Sequence, residues 1–244
     1  MPRDAMSNPP IFHVTHWKAG SQWVRAVLAA AAPGRVSSPD HDPQWFAKTP
    51  IVEGGVYTPV YETHQKFREV VPEERAQRTF VVIRDLRDTA VSWYFSHKYS
   101  HSLDDDSVSA SRKILQRLSM TDGLALVISN HLRDGVVIQQ SWIDAGARIF
   151  RYEDLRADQH GEFGRMFDFC QLDLTEQRRK AIVARNSFER KTWWRFGREN
   201  VKSHLRKGLA GDWKNHFCPR LKKLFKLHYG RILIQAGYEK DELW

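Results

Sequence analysis

The sequence predicts an α/β fold: a single domain with a central parallel β-sheet flanked by helices and a P-loop-like turn after the first strand. Short runs of β-branched and aromatic residues alternate with helical patterns along the chain, as they do in proteins with parallel sheets. A turn that contains Lys18 and Gly20 joins the first of these runs to an alanine-rich helical segment. The chain has 244 residues, of which 41% are hydrophobic and 27% charged, so it can bury one substantial core.

The first predicted elements are a strand, a tight turn and a helix. Ile11–Thr15 is a short β-prone run, and the apolar segment 23–32 is ended by a Pro-Gly pair. Ser21 is the predicted N-cap, because a serine hydroxyl accepts a hydrogen bond from a first-turn N–H group. This arrangement points free backbone N–H groups and the positive end of the helix dipole at an anion. Residues 35–60, rich in Pro, Gly and Asp, are predicted as loops with short strands.

The rest of the chain continues the alternation of strands and helices. Thr79–Ile83 is a continuous β-branched run, as in buried parallel strands, and Ala147–Tyr152 is a further strand candidate, from which Glu153–Leu155 turns away. The predicted helices are residues 89–99, much of 112–143, two or more within 159–185, and an amphipathic helix at 220–236. Because no linker or internal repeat divides these elements, the predicted domain is 11–244, preceded by a flexible leader at 1–10.

The charge and the cysteine content narrow the class of partner. The net charge is +9 and the pI about 9.6, which suits a multiply anionic ligand, although nucleic acid and acidic membranes also attract such a chain. Cys170 and Cys218 lack metal-ligand spacing, so a disulfide framework and a cysteine zinc site are disfavoured and a cytoplasmic location is predicted. The first ten residues lack the apolar stretch of a signal peptide, and no apolar run approaches the roughly 20 residues of a membrane span. We therefore predict no membrane partner.

The first candidate binding motif is the turn at residues 17–23. It lacks the full Gly-x-x-x-x-Gly-Lys-Ser/Thr pattern of an ATP-binding P-loop, because it is shorter and its Lys18 precedes Gly20. Many strand-to-helix turns contain Gly and Lys, so this segment by itself fits a purely structural turn equally well.

The second candidate motif follows the strand at 79–83. Arg84 stands at the carboxyl end of that strand, where α/β sheets bind their ligands, and Ser92 follows two helical turns later. An arginine fork together with a hydroxyl suits a phosphate monoester. The alternative is that Arg84 pairs with Asp85 or Asp88 in a surface network.

The third candidate motif, residues 204–215, is the most specific. It combines Arg206 and Lys207 with two glycines and a tryptophan, and Gly208 beside the two cations lets the backbone approach an anion closely. A nucleic-acid interface is the alternative, since basic and aromatic residues alternate at 193–198. Carboxylates dilute the basic residues elsewhere in the chain, so we predict no nucleic-acid partner.

These segments together resemble the family of sulfotransferases that depend on 3′-phosphoadenosine 5′-phosphosulfate (PAPS), in its cytosolic-type branch with a sulfotransferase 1 domain. Residues 15–23 stand where the family has Thr-Tyr-Pro-Lys-Ser-Gly-Thr-Thr-Trp, and residues 84–92 match its Arg-x-x-x-Asp-x-Ala-Val-Ser motif. Residues 206–214 match its Arg-Lys-Gly-x-x-Gly-Asp-Trp-Lys signature in full. Tyr152–Leu155 resembles its Tyr-Glu-Asp segment and Asn186–Phe188 its Thr-Ser-Phe segment, so the resemblance spans nearly the whole chain in the same order.

The resemblance implies a binding site for PAPS, with adenosine 3′,5′-bisphosphate (PAP) as the product and no metal required. The residues implied around the phosphosulfate are Lys18, Ala19, Gly20, Ser21 and Gln22, with Trp23 stacked on the adenine. Those implied around the 3′-phosphate are Arg84, Ser92, Arg206, Lys207 and Gly208. Those implied in the adenosine pocket are Tyr152, Asn186 and Phe188.

The resemblance also implies an in-line transfer of the sulfuryl group to a hydroxyl or amine of a small acceptor, with Lys18, His64 and Ser92 as catalytic residues. Negative charge develops on the departing phosphate oxygen, and a preorganised Lys18 would stabilise it. The acceptor must lose a proton. His64 stands where the family has a Lys-Thr-His segment, so it is the predicted general base with Glu62 as its substitute, the alternative being an ordinary loop histidine.

Some residues depart from the family pattern. Trp17 replaces a proline, and Ala19 and Gln22 replace hydroxyl residues, so Ser21 supplies the remaining side-chain hydroxyl of the turn. The family's dimerisation motif requires Lys-x-x-x-Thr-Val, whereas a different sequence follows Lys214 here, so the oligomeric state stays open.

The acceptor is left open by the sequence. Aromatic residues in the variable segments favour a hydrophobic or aromatic small molecule, although several fit the core equally well: Trp45, Phe46, Tyr57, Trp93, Phe95, Trp142, Trp193 and Trp194. Two other functions are weighed against sulfuryl transfer. One is a nucleotide-dependent kinase of related fold, disfavoured by the incomplete P-loop and the missing Mg²⁺ carboxylates. The other is a non-catalytic protein that binds nucleic acid or an anionic polymer.

Overall fold

The computed structural model describes residues 8–39, 42, 44–101, 106–187, 190 and 208–244. The chain forms two compact units, one of Met1–Ile83 with Ser141–Ser187 and one of Arg84–Gln140 with Phe188–Trp244. The first unit contains the β-sheet, and the second consists of helices and turns in the part that the structure describes.

The sheet has five parallel strands in the order β2-β3-β1-β4-β5. The strands are β1 Ile11–Thr15, β2 Val36–Ser37, β3 Val56–Val60, β4 Arg78–Ile83 and β5 Arg148–Arg151. All residues of β1 and β3 are buried, as expected for parallel strands covered on both faces. The predicted α/β fold with a central parallel sheet flanked by helices is thereby confirmed.

The helices described by the structure run through both units. They are α1 Ser21–Ala31, α2 Trp45–Lys48, α3 His64–Val70, α4 Leu86–Phe95, α5 Asp106–Arg117, α6 Met120–Leu126, α7 Arg133–Asp144, α8 Tyr152–Ala157, α9 Gln159–Phe169, α10 Glu176–Asn186 and α11 Pro219–Gln235. Two π-helical turns, Ser96–Ser100 and Val127–His131, extend α4 and α6, and Asp212–Asn215 is a 3₁₀ turn. None of the described helices is long and apolar enough to cross a membrane.

The register of the sheet brings the carboxyl ends of its strands to one edge. Thr15, the last residue of β1, pairs with Val82 of β4, and Ile83 pairs with Arg151 of β5. The Thr15 hydroxyl donates to the Val82 carbonyl at 2.8 Å, which joins the ends of β1 and β4. Segments that leave the sheet at this edge begin close to one another, as at the ligand-binding edges of other α/β sheets.

The boundaries of two predicted elements differ in the structure. Gly20, with φ 86°, is the N-cap of α1, and Ser21 is its first helical residue rather than its cap. Glycine takes this position because the chain there needs a left-handed backbone, which costs glycine nothing. Residues 152–157 form the short helix α8 where a turn was predicted, and Glu153 and Asp154 in its first turn favour the helix through its dipole.

Candidate active site

The turn after β1 is shaped by two residues with left-handed backbone, Lys18 at φ 69° and Gly20 at φ 86°. The N–H groups of Trp23 and Val24 both donate to the Gly20 carbonyl, at 2.9 and 3.1 Å. The N–H groups that precede them in the first turn of a helix have no carbonyl of the same helix to bond. No acidic residue stands in the first turn of α1, so the positive end of the helix dipole is not neutralised there.

Tyr152, the first residue of α8, lies against this turn. A Cβ atom placed on Gly20 would be 2.8 Å from Cδ2 of Tyr152, closer than side-chain carbons approach. Glycine is therefore needed at position 20 for its conformation and also for the ring that packs on it. The structure thus brings Tyr152, implied in the adenosine pocket, against the turn implied to hold the phosphosulfate.

Tyr61, which follows β3, contacts the same turn and was not singled out from the sequence. Its hydroxyl donates to Oγ of Ser21 at 3.0 Å, and its ring stacks on Trp17 with centroids 5.3 Å apart and planes 13° apart. Burial raises the pKa of the Tyr61 phenol, so it stays protonated as a donor. Because the Ser21 oxygen accepts this hydrogen bond, its own hydroxyl hydrogen is left to donate to an anion. The sequence signal that could have pointed to Tyr61 is its position as an aromatic residue directly after β3.

Trp23 is buried in the core of the first unit. Its ring lies edge to face with Phe163 at 5.1 Å and with Tyr152 at 6.1 Å between centroids. Within the described part of the chain, its indole Nε1 is buried without a hydrogen-bond partner. A buried N–H group without a partner is costly unless a ligand or water accepts from it.

The remaining residues implied around the donor in the first unit differ in exposure. Ala19 is fully buried, whereas Gln22 is exposed and its amide oxygen lies 3.4 Å from a nitrogen of Arg25. Asn186, at the end of α10, is half-buried and its amide donates to the Ile182 carbonyl at 3.0 Å. The exposed amide of Gln22 is thus available to solvent and ligand alike.

His64, the predicted base, is the first residue of α3. Its backbone N–H donates to Oγ of Ser141 at 3.0 Å, and its ring lies edge to face with Trp142 at 4.9 Å. Nε of Arg68 donates to Nε2 of His64 at 3.2 Å. A ring nitrogen that accepts a hydrogen bond carries no proton, so this geometry assigns the proton of a neutral His64 to Nδ1.

The pKa of His64 is lowered below its ordinary value of 6.5. Desolvation by burial is the main cause, the positive charge of Arg68 adds to it, and Glu73 opposes both. The carboxyl of Glu62, the alternative base, has a raised pKa, mainly because it is half-buried and secondarily because of Glu69, against the effect of Lys66. The raised pKa brings Glu62 nearer to the operating pH that favours a general base, whereas the lowered pKa of His64 keeps its ring neutral and makes it a weaker base.

The second unit holds the other residues implied at the donor site that the structure describes. Arg84 follows β4 directly and is 9% exposed. Burial raises the pKa of Asp88, and the positive charge of Arg84 opposes this shift. Asp85 instead forms an ion pair with Arg87 at 2.7 Å. Arg84 and Asp88 are both buried, at 9% and 1% exposure, so neither belongs to the surface network that was the alternative. Ser92, half-buried, lies two turns along α4.

A family model described as the sulfotransferase domain matches residues 8–237. The chain belongs to the sulfotransferase family. The PAPS-dependent sulfotransferase predicted from the motifs is confirmed at this level, and the kinase alternative is not favoured.

The relatives of this sulfotransferase are distant in sequence and similar in fold. Cytosolic sulfotransferase 3 of Arabidopsis thaliana is 22% identical over 251 residues, covering 93% of this chain and 76% of the relative. Sulfotransferase 2B1 of Mus musculus is 23% identical over 247 residues, covering 90% and 70%. The crystal structure of mouse sulfotransferase SULT7A1 complexed with PAP has a TM-score of 0.69 at 16% identity, covering 96% of this chain and 89% of that one.

Several predicted residues of this sulfotransferase lie outside the described part of the chain. They are Phe188, Trp193, Trp194, Arg206 and Lys207. Gly208, which is described, has a left-handed backbone with φ 61°. In the described ranges, no group of three or more His, Cys, Asp or Glu residues could hold a metal ion.

Most of the aromatic residues considered for the acceptor belong to the core of the sulfotransferase. The buried ones are Trp45, Phe46, Tyr57, Phe95 and Trp142, none more than 8% exposed. Trp93 is half-buried and stacks on His97 and His131, with centroids 3.5 and 4.2 Å apart. Of the described aromatic candidates, Trp93 is therefore the one that offers a partly open surface.

Proposed function

We propose that this sulfotransferase moves the sulfuryl group of PAPS to a hydroxyl or amine of a small acceptor. The observation that carries the proposal is the turn after β1. Within three residues it supplies a lysine and two left-handed backbone positions, and α1 begins directly behind them with no acidic residue in its first turn. Such a concentration of N–H groups and positive charge suits a phosphosulfate.

The residues of the first unit fit the donor in three respects. The lack of a side chain at Gly20 lets the ring of Tyr152 pack directly against the turn. The Ser21 hydroxyl hydrogen is free to donate, since Tyr61 bonds the oxygen. The buried indole N–H of Trp23 has no partner within the described residues and would donate to an acceptor atom of a ligand.

The proposed donor contacts follow from this fit. Residues 18–22 would hold the phosphosulfate, and Trp23, Tyr152, Asn186 and Phe188 the adenosine. Arg84, Ser92, Arg206, Lys207 and Gly208 would hold the 3′-phosphate. Arginine guanidinium groups recognise a phosphate monoester through paired N–H donors, which a lysine alone does not provide.

Lys18 is proposed to stabilise the charge that develops during transfer. When bound, PAPS supplies the activated sulfuryl group and departs as PAP. The ammonium group of Lys18 would lie at the phosphate oxygen that gains negative charge, and the turn fixes the backbone of Lys18 before the reaction begins.

His64 is proposed to take the proton of the acceptor. Its lowered pKa keeps it neutral near pH 7, as a base must be. Its unprotonated nitrogen, Nε2, accepts from Arg68, so the acceptor hydroxyl must replace Arg68 at this atom. Glu62, with its raised pKa, is the substitute base.

The partner proposed is a small hydrophobic or aromatic molecule. Two solved structures of similar fold are retinol dehydratase in complex with retinol and PAP and retinol dehydratase in complex with androsterone and PAP, and retinol and androsterone are small hydrophobic molecules. The half-buried Trp93 offers a surface of the matching kind. A cytoplasmic location is part of the proposal, supported by Cys170 and Cys218, which are both free thiols.

Binding of PAP tests the proposed donor directly. PAP without Mg²⁺ is expected to raise Tm, because a ligand that binds only the folded state at 100 times its Kd adds about 2.7 kcal/mol to the free energy of unfolding. Adenosine 5′-monophosphate (AMP), which lacks the 3′-phosphate, is the matched control and should stabilise less. A larger increase with ATP and Mg²⁺ than with PAP would contradict the proposal.

The pH dependence of turnover tests His64 as the base. Activity should fall as the pH falls through the pKa of His64, since the protonated ring cannot accept a proton. Arg68→Gln removes a charge that lowers this pKa, so the acid limb of the kcat profile should move to higher pH. Glu73→Gln removes the charge that raises it and should move the limb to lower pH. If the acid limb of the kcat profile stays at the same pH in both variants, a group other than His64 controls it.

A further inference from the structure

Arg87, on the first turn of α4, lies among charged and aromatic side chains from distant parts of the chain. It is 2% exposed, and its guanidinium carbon is 3.9 Å from the ring centroid of Trp213 and 4.3 Å from that of Trp244. It forms ion pairs with Asp85 at 2.7 Å and with Glu239. Residues 239 and 244 are thereby joined to Trp213 through one buried cation. We call Arg87, Glu239 and Trp244 the Arg87 clamp.

Asp88, the neighbour of Arg87, holds the backbone of the same segment. Its carboxylate accepts from the N–H of Gly211 at 2.6 Å and from the N–H of Trp213 at 2.8 Å. Gly211, with φ 78°, is the N-cap of the 3₁₀ turn that begins at Asp212. The segment 211–213 is therefore fixed twice, by its backbone on Asp88 and by its indole on Arg87.

Stability alone is a weak reason for such a cluster. Buried ion pairs lose much of their Coulomb gain to desolvation, and apolar replacements of similar volume are often as stable. What charged and aromatic partners add over apolar packing is directional geometry. The cluster is suited to holding segment 211–213 in one position relative to α4.

Gly208 lies three residues before Gly211, in the motif 206–214 that is proposed to hold the 3′-phosphate. Three residues span at most about 10 Å of extended chain, so a fixed Gly211 restricts where Gly208 can lie. Its left-handed backbone, φ 61°, restricts the path further. A substitution that displaces Trp213 is therefore expected to displace Gly208 as well, because only a short, constrained stretch separates them.

We propose that the Arg87 clamp positions segment 208–213 and thereby sets the affinity of the enzyme for the 3′-phosphate of its donor. This inference rests on the proposed function, in which the motif 206–214 binds that phosphate. Arg87, Glu239 and Trp244 act through Trp213 and are positioning residues; none of them is assigned a contact with the nucleotide. Their effect should be confined to ligands that carry a 3′-phosphate.

The test compares the Kd of PAP with the Kd of AMP, measured by calorimetry on the full chain. Trp244→Ala should raise the Kd of PAP about tenfold, as expected for loss of a desolvated cation–π contact, and leave that of AMP unchanged. Leu243→Ala, at a neighbouring side chain that is 89% exposed, is the matched control and should change neither. Trp244→Phe keeps an aromatic face and should restore most of the PAP affinity.

Glu239→Gln provides a milder version of the same test. It keeps the side-chain volume while removing one charge from the clamp, so it should raise the Kd of PAP by a smaller factor than Trp244→Ala does. It therefore serves as the test if Trp244→Ala fails to fold. The role of the clamp is overturned if Trp244→Ala leaves the ratio of the Kd of PAP to the Kd of AMP unchanged. If Trp244→Ala does not fold, an unchanged ratio in Glu239→Gln overturns it. If the unaltered enzyme binds PAP no better than AMP, the proposed donor site fails, and the clamp's role fails with it.

Discussion

Lys18→Ala is expected to abolish measurable sulfuryl transfer, lowering kcat by a factor of about 10²–10³ or more. The reason is that Lys18 is proposed to stabilise charge that exists only as the bond to sulfur breaks. Alanine retains a Cβ atom, so the strain of the left-handed backbone at position 18 is the same in both proteins. Turnover is measured with labelled PAPS, and binding of PAP is measured in parallel.

The matched control for Lys18 is Lys48→Ala. Lys48 is 60% exposed and pairs with Asp42 at 2.8 Å, a surface pair of little energetic value. Its removal should leave kcat and Tm unchanged. If Lys18→Ala keeps near-normal kcat and PAP affinity, Lys18 has no part in the mechanism. If kcat is unchanged and only PAP binding is weaker, Lys18 binds the nucleotide without stabilising the transition state.

His64→Ala is expected to lower kcat by a factor of about 10²–10⁴, the usual contribution of a general base, with PAP binding intact. The backbone N–H of residue 64 can still donate to Ser141, so α3 should begin as before. His228→Ala, at an exposed histidine of α11, is the control and should have no effect on turnover.

Glu62→Gln separates the two candidate bases. If His64→Ala retains turnover and Glu62→Gln loses it, Glu62 accepts the proton, in agreement with its raised pKa. If the double variant with His64→Ala and Glu62→Gln also retains turnover, neither residue is the base and the acceptor loses its proton without help from this pair.

The elements that carry the donor motifs could be predicted because their signals are local. A continuous β-branched run specifies a buried strand at 78–83, and a glycine between a strand and an apolar segment specifies the turn at 18–20. The error at Ser21 has a local cause as well. Serine is a strong N-cap, but the left-handed backbone required one residue earlier favoured Gly20.

The aromatic residues show where composition stops being informative. Tyr57 and Phe46, which were considered as acceptor surfaces, are buried at 0% and 2% exposure. Both rings pack against Phe12, and Phe46 also stacks on Phe67. A large apolar side chain stabilises a core and a binding surface by the same loss of water contact. Only the packing of the elements shows which of the two a given ring does.

By itself the sequence determined the α/β class, the strand, glycine turn and helix at residues 11–31, and the order of the three candidate motifs, because each depends on residues within a few positions of one another. The tertiary structure alone decided that Tyr61 bonds Ser21, that Arg68 occupies Nε2 of His64, and that Arg87 meets Glu239, 152 positions away in the chain. Contacts of this kind depend on strand order and on side-chain direction, which no local pattern encodes. The turn at residues 17–23, which the sequence left ambiguous, is thus defined by contacts with Tyr61 and Tyr152 from other elements of the fold.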